Sequence, residues 1–113
     1  MEMMKGIIGT RALSTLCMLG AVLFGSAAWA HTPVCMCWDN GDGTISCEGG
    51  FSDGSSAAGV ELRVEDEKGR VVIQGKMNED SEFTFDKPRG EFVVVFDAGP
   101  GHVVKITSRN IKQ

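Results

Sequence analysis

"GVELRVEDEKGRVVIQGKM", residues 59–77, decides the fold. Val60, Leu62 and Val64 alternate with Glu61, Arg63 and Glu65, so an extended segment gains one apolar and one charged face, a period of two that no helix satisfies. "EKG" then turns the chain into "RVVIQGKM", and the two runs read as a β-hairpin. Downstream, "EFTFD" (82–86) sets Phe83 and Phe85 on one face, and "KPRG" (87–90) is a Pro/Gly loop. "EFVVVFD" (91–97) is a continuous apolar run of strand length, the pattern of a strand buried on both sides. "AGPG" (98–101) interrupts the chain before "HVVKITS" (102–108) resumes the strand pattern. Two short segments around Asn40 and Gly41 bring the total to about seven strands, and no helical stripe appears beyond the first thirty residues. The expected class is all-β, a small antiparallel sandwich.

The first thirty residues are set apart by a different chemistry. Lys5 and Arg11 give a basic start, Ala12 to Phe24 is mostly apolar, and Ala28-Trp29-Ala30 supplies the small-x-small pattern of a secretory cleavage site. Residues 1–30 are therefore expected to be a signal peptide, with His31 as the new N-terminus and a periplasmic or secreted destination. The rival is an uncleaved anchor, since Ala12 to Trp29 barely reaches spanning length; Gly20, Gly25 and Ser26 weigh against it. After cleavage no transmembrane segment is expected. Cys17 follows Leu16 rather than the small residue of a lipoprotein signal, so it leaves with the leader. Removing Glu2, Lys5 and Arg11 from 15 acidic and 11 basic residues leaves 14 and 9, a net charge of −5. That balance argues against nucleic acid, which needs a basic footprint, and is compatible with attraction of cations, though the charges are dispersed and read first as an ordinary soluble surface. A chain this short buries a modest core, and a covalent or metal staple would help it. Residues 31–50 are expected to form an N-terminal Cys/His hairpin segment. Residues 51–113 form the sandwich domain, entered through the Gly/Ser-rich "GGFSDGSSAAG" as a mobile loop or linker.

The order "AAGVELRVED", then "GRVVIQGKMNEDSEFTFDKPRGEFVVVFDAGPGH", resembles the carboxypeptidase regulatory-like family of transthyretin-like β-sandwiches over roughly residues 57–107. That family places a Gly-Val-x-Val strand before a Phe-x-Phe strand, a Pro-x-Gly turn and an aromatic-x-Val strand. The resemblance implies an immunoglobulin-like or transthyretin-like sandwich and is nearly silent about function, because the domain serves as an accessory module in many settings. The chain departs from it at Ser81, where the family has a glycine before its aromatic strand, so a differently shaped turn is expected there. The "FDAGPGH" ending and the secreted Cys/His-bearing start are also similar to small periplasmic proteins that accompany bacterial nickel and cobalt uptake transporters. This second resemblance implies a membrane metal transporter as partner.

"HTPVCMCWDNGDGTISCEGG", residues 31–50, carries the chemistry. A three-residue Gly41-Asp42-Gly43 loop, with Gly43 free to take positive φ, pairs Cys37 with Cys47. Cys35, two residues from Cys37, then shares their face. A directly opposed pair has the short separation a disulfide wants, whereas Cys35 and Cys47 lie diagonally apart. A two-residue Asp42-Gly43 loop also fits the sequence, and it would turn Cys47 to the other face. Secreted small domains use cysteines mostly as disulfides, yet three is odd and leaves one thiol over. Cys-x-Cys with a third cysteine nearby is also a soft-ligand set for copper(I) or zinc, and imidazole widens the choice to nickel, cobalt and copper(II).

His31 strengthens the metal reading, because a free α-amine and its own imidazole can chelate one ion together. Pro33 lacks an amide N–H and blocks a square-planar chain of backbone nitrogens, so further ligands must come from elsewhere in the fold. His102, after the Gly99-Pro100-Gly101 turn, is the other histidine and the obvious candidate; its alternative is a polar residue at a strand start. The expected metal residues are thus His31, Cys35, Cys37, Cys47 and His102, holding nickel, cobalt or copper. "DNGDGT" lacks the spacing of an EF-hand and reads as a hairpin turn. There is no tyrosine and no nucleophile or acid/base motif, so binding rather than catalysis is expected. Two functions follow: a periplasmic transition-metal-binding accessory protein, or a metal-free secreted module, stapled by a disulfide, that contacts a protein or glycan; a third class, a copper enzyme using a terminal-histidine brace, ranks below them because the chain is small for a substrate surface as well.

Overall fold

The structure, a computed structural model, describes residues 31–113. The expected signal peptide, residues 1–30, lies outside the described residues. Seven strands form two antiparallel sheets. One sheet has the order β1 (Pro33–Asp39), β2 (Thr44–Phe51), β5 (Glu82–Asp86). The other has the order β4 (Val71–Lys76), β3 (Glu61–Asp66), β6 (Phe92–Asp97), β7 (Val103–Thr107). A single 3₁₀ turn, Ser108–Asn110, follows β7. No helix among the described residues is long and apolar enough to cross a membrane.

The alternation read from residues 59–77 sets the sandwich. Leu62 and Val64 are fully buried, while Arg63 stands on the outer face and binds Asp97 at 2.9 Å and Glu65 at 3.0 Å. Asp66 and Arg70 close the turn between β3 and β4, with Gly69 at φ 78°. β6 is interior to its sheet, and Phe92, Val94, Val95 and Phe96 are all buried, as a continuous apolar run demands. From the opposite sheet Ile45, Cys47 and Phe85 close the core; Phe85 meets Phe92 edge-on at 6.2 Å and Phe51 meets Phe96 at 6.4 Å. Gly49 faces this core without a side chain because the Phe96 ring fills the space: a Cβ there would stand 2.5 Å from that ring.

Two findings differ from the sequence reading. The hairpin of residues 31–50 is integral to the sandwich, since β2 runs on to Phe51, its Thr44–Glu48 stretch pairs with the whole of β5, and residues His31–Gln113 form one unit. The Gly/Ser-rich segment is a series of tight turns packed on the sandwich rather than a linker: Ala57 is fully buried, and Gly50 bridges to Ser56. At Ser81 the left-handed backbone that a glycine would supply is kept, with φ 62° on a serine. Its hydroxyl accepts the Ala57 amide proton at 2.9 Å and its carbonyl accepts that of Gly49.

Surface carboxylates set the acid limit of this fold. The Arg63 guanidinium holds Asp97 below the usual carboxylate range, and Arg109 does the same for Glu91, as do Lys87 for Asp39 and the Arg70 amide for Asp66. A lowered folded-state value means the stabilisation is complete above the unfolded value and is lost as pH falls through the folded one. The urea midpoint should therefore be flat from pH 6 to 8 and drop progressively below about pH 4, where unfolded Asp and Glu begin to protonate. A midpoint that rose on acidification would contradict these pairings.

Candidate metal site at the start of β1

The loop that joins β1 to β2 fixes everything upstream of it. Gly41 and Gly43 take φ of 78° and 90°, and Asn40 N–H donates to Thr44 O at 3.0 Å, so the three-residue loop is the one formed. Asp42 accepts from the Thr44 amide at 3.0 Å and from its hydroxyl at 2.6 Å, which locks the turn. In this register Cys37 opposes Cys47, and the two are joined as a disulfide with their Cα atoms 4.0 Å apart.

The five candidate residues are distributed accordingly. Cys37 and Cys47 are consumed by the bridge and present no thiolate. Cys35 is free, half-buried against the core, and burial pushes its thiol up to about 11. In the absence of a metal the protonated thiol is its favoured form at neutral pH. His31 is exposed, and its Nδ1 stands 2.7 Å from Oδ2 of Asp53. His102 sits in the β6–β7 turn with its Nδ1 3.1 Å from Pro100 O. A carbonyl only accepts, so Nδ1 is the donor in this contact.

The two histidines occupy the same end of the sandwich. Pro33 pairs with Phe51, Val104 pairs with Phe96, and the Phe51 and Phe96 rings touch, so these four residues share a level. His31 and His102 each lie two residues beyond it. They are nonetheless engaged separately. Among the described residues, no three His, Cys, Asp or Glu side chains converge where an ion could be held.

Asp53 is the residue that the sequence reading missed. Its carboxyl is held below the usual range by the Ser55 hydroxyl and amide, with the His31 side chain adding to the effect. Both Ser55 bonds go to Oδ1, at 2.6 and 3.0 Å, leaving Oδ2 for His31. The signal was present: extending the register that pairs Cys37 with Cys47 by six residues along β1 brings His31 opposite Asp53. One backbone bond and one to a side chain carry the pairing that far: Ser52 N–H donates to Thr32 O at 2.8 Å, and Thr32 N–H to the Ser52 hydroxyl at 3.1 Å.

No protein-family model matches the chain, and neither does any curated protein or solved structure.

Proposed function

We propose that this is a periplasmic transition-metal-binding accessory protein, serving uptake or handling of nickel, cobalt or copper beside a membrane transporter. The observation that carries the reading is the 2.7 Å pairing of His31 Nδ1 with Asp53 Oδ2 on an exposed end of a rigid sandwich. Once the leader is removed after Ala30, the α-amine of His31 adds a nitrogen to that pair, and amine and Nδ1 of one residue close a chelate ring. The acidic balance of the secreted part favours arrival of cations.

Native mass spectrometry of the processed protein tests it, reporting the N-terminus, the disulfide and the bound ion together. The expected species begins at His31, keeps Cys37–Cys47 oxidised and takes up one equivalent of nickel(II), cobalt(II) or copper(II). A protein that starts elsewhere, or that stays metal-free with all three ions, sinks the proposal.

A metal-free binding module is the second reading, and a specific observation favours it. β1 is an edge strand whose outward residues Val34, Met36 and Trp38 form an apolar row, with Met36 73% exposed. A protein or glycan contacting that row would need no metal.

A further inference from the structure

We infer that Asp53 is the anionic ligand of the metal site, which binds a divalent ion through the His31 amine, His31 Nδ1 and Asp53 Oδ2, without a thiolate. This rests on the metal-binding reading above and specifies its donors. Metal–nitrogen and metal–oxygen bonds of about 2.0–2.2 Å at a right angle set their donor atoms roughly 2.9 Å apart. The observed separation of 2.7 Å is close to that of two adjacent corners of a coordination shell.

Only Nδ1 can share an ion with the amine of the same residue, because that ring has six members; Nε2 is too far away. It is also Nδ1, not Nε2, that faces Asp53. Asp53 is in turn divided in its duties. Ser55 occupies Oδ1 with two hydrogen bonds and thereby aims Oδ2 at the histidine. Supporting bonds of this kind orient ligands at metal sites and raise their affinity. As the ion enters, the imidazole proton moves from Nδ1 to Nε2 so that Nδ1 offers its lone pair, one proton leaves the terminal ammonium for solvent, and no electron is transferred. Remaining positions on the ion go to water.

The cysteines stand apart from this set. Cys37 and Cys47 are bridged, and Cys35 packs toward the core. Two nitrogens and a carboxylate oxygen suit nickel(II), cobalt(II) and copper(II), with copper(II) held most tightly, and suit copper(I) poorly.

Calorimetric titration of the processed protein with each of the three divalent ions tests the assignment, using Asp53→Asn, Cys35→Ser and a form with one Gly placed before His31. Asparagine keeps an oxygen for the Ser55 bonds but loses the charge, so thermal unfolding of Asp53→Asn should match the parent. Its affinity should fall about 10–100-fold, as on loss of a ligand or its support. The Gly-extended form should fall by a similar factor, because its amine belongs to another residue and the chelate ring is gone. Cys35→Ser should bind like the parent, and the copper(II) complex should show no sulfur-to-metal charge-transfer band.

The contrary outcomes are distinct. If Asp53→Asn binds as tightly as the parent, Asp53 is no ligand, and the metal reading survives without it. Weakened Asp53→Asn beside an unaffected Gly-extended form means that the ring binds through Nε2 with Asp53 merely orienting it, which overturns the assignment. A charge-transfer band abolished by Cys35→Ser overturns the thiolate-free set. A processed protein that binds none of the ions overturns this inference and the parent reading together.

Discussion

Reduction of the Cys37–Cys47 bridge should lower the stability of the sandwich by about 3 kcal/mol, the loop-closure value for a bridge of short span, within the 2–5 kcal/mol typical of small secreted domains. The two cysteines are 10 residues apart in sequence. In a domain of this size, such a loss lowers the unfolding midpoint by on the order of 12–24 °C. The bridge acts where the core is thinnest. Its sheet has three strands, and on β2 the inward positions are Ile45, Cys47 and Gly49, so Cys47 stands where a larger apolar residue would otherwise fill the space. Replacing Cys47 alone with serine should cost more than reduction, because it also leaves a hydroxyl at a site with no access to water. Urea unfolding with and without a phosphine reductant measures the first effect. A midpoint indifferent to reductant would show that strand pairing alone holds the hairpin.

Phe96→Ala should cost about 3–5 kcal/mol, the usual range for emptying a buried aromatic site. Phe96 is fully buried on β6, touches Phe51, and covers the bare backbone of Gly49 across the two sheets. The contact with Gly49 makes the prediction specific. Gly49→Ala in the parent forces a methyl group to within 2.5 Å of the Phe96 ring and should cost about 1–3 kcal/mol as overpacking. In the Phe96→Ala background the same methyl meets only the flexible end of Met77, 3.0 Å away, and most of its penalty should vanish. A double-mutant cycle reads this directly as a coupling energy. Strictly additive losses would mean that something other than Phe96 keeps position 49 small.

What could be read from the sequence was local. The alternation of Val60, Leu62 and Val64 and the unbroken run ending in Phe96 each contain their own instruction within a few residues, and the segment around Asp42 reads as a turn whose three- and two-residue forms both fit. The loop fixed the register, and the register fixed the disulfide. The pairing of β5 with β2 was not legible: "EFTFD" follows β4 in the chain but leaves its sheet to join a strand nearly forty residues earlier, as in Ser46 opposite Thr84. That choice depends on packing between distant segments, with the Phe83 ring filling the space over Gly75. Asp53 was hidden differently. Its neighbours Gly54, Ser55 and Ser56 have the composition of a linker, and only their hydrogen bonds, which composition does not encode, make the segment a turn.

Ser81 bears on how much freedom that turn retains. A non-glycine residue at φ 62° is held in a sparsely populated conformation, and it persists only where surrounding bonds over-determine it. Here they do: its hydroxyl grips Ala57, its carbonyl grips Gly49, and its amide donates to Asn78. The segment between Gly49 and Ala57, which includes Asp53, is thereby tethered at both ends to one residue of the β4–β5 crossover. A ligand arriving at this end of the molecule meets a surface that is already preorganised. Any ligand of this end would be spared the ordering cost that a floppy loop levies on its partner, about 0.5–1.5 kcal/mol for each side chain immobilised, because folding already holds these turns.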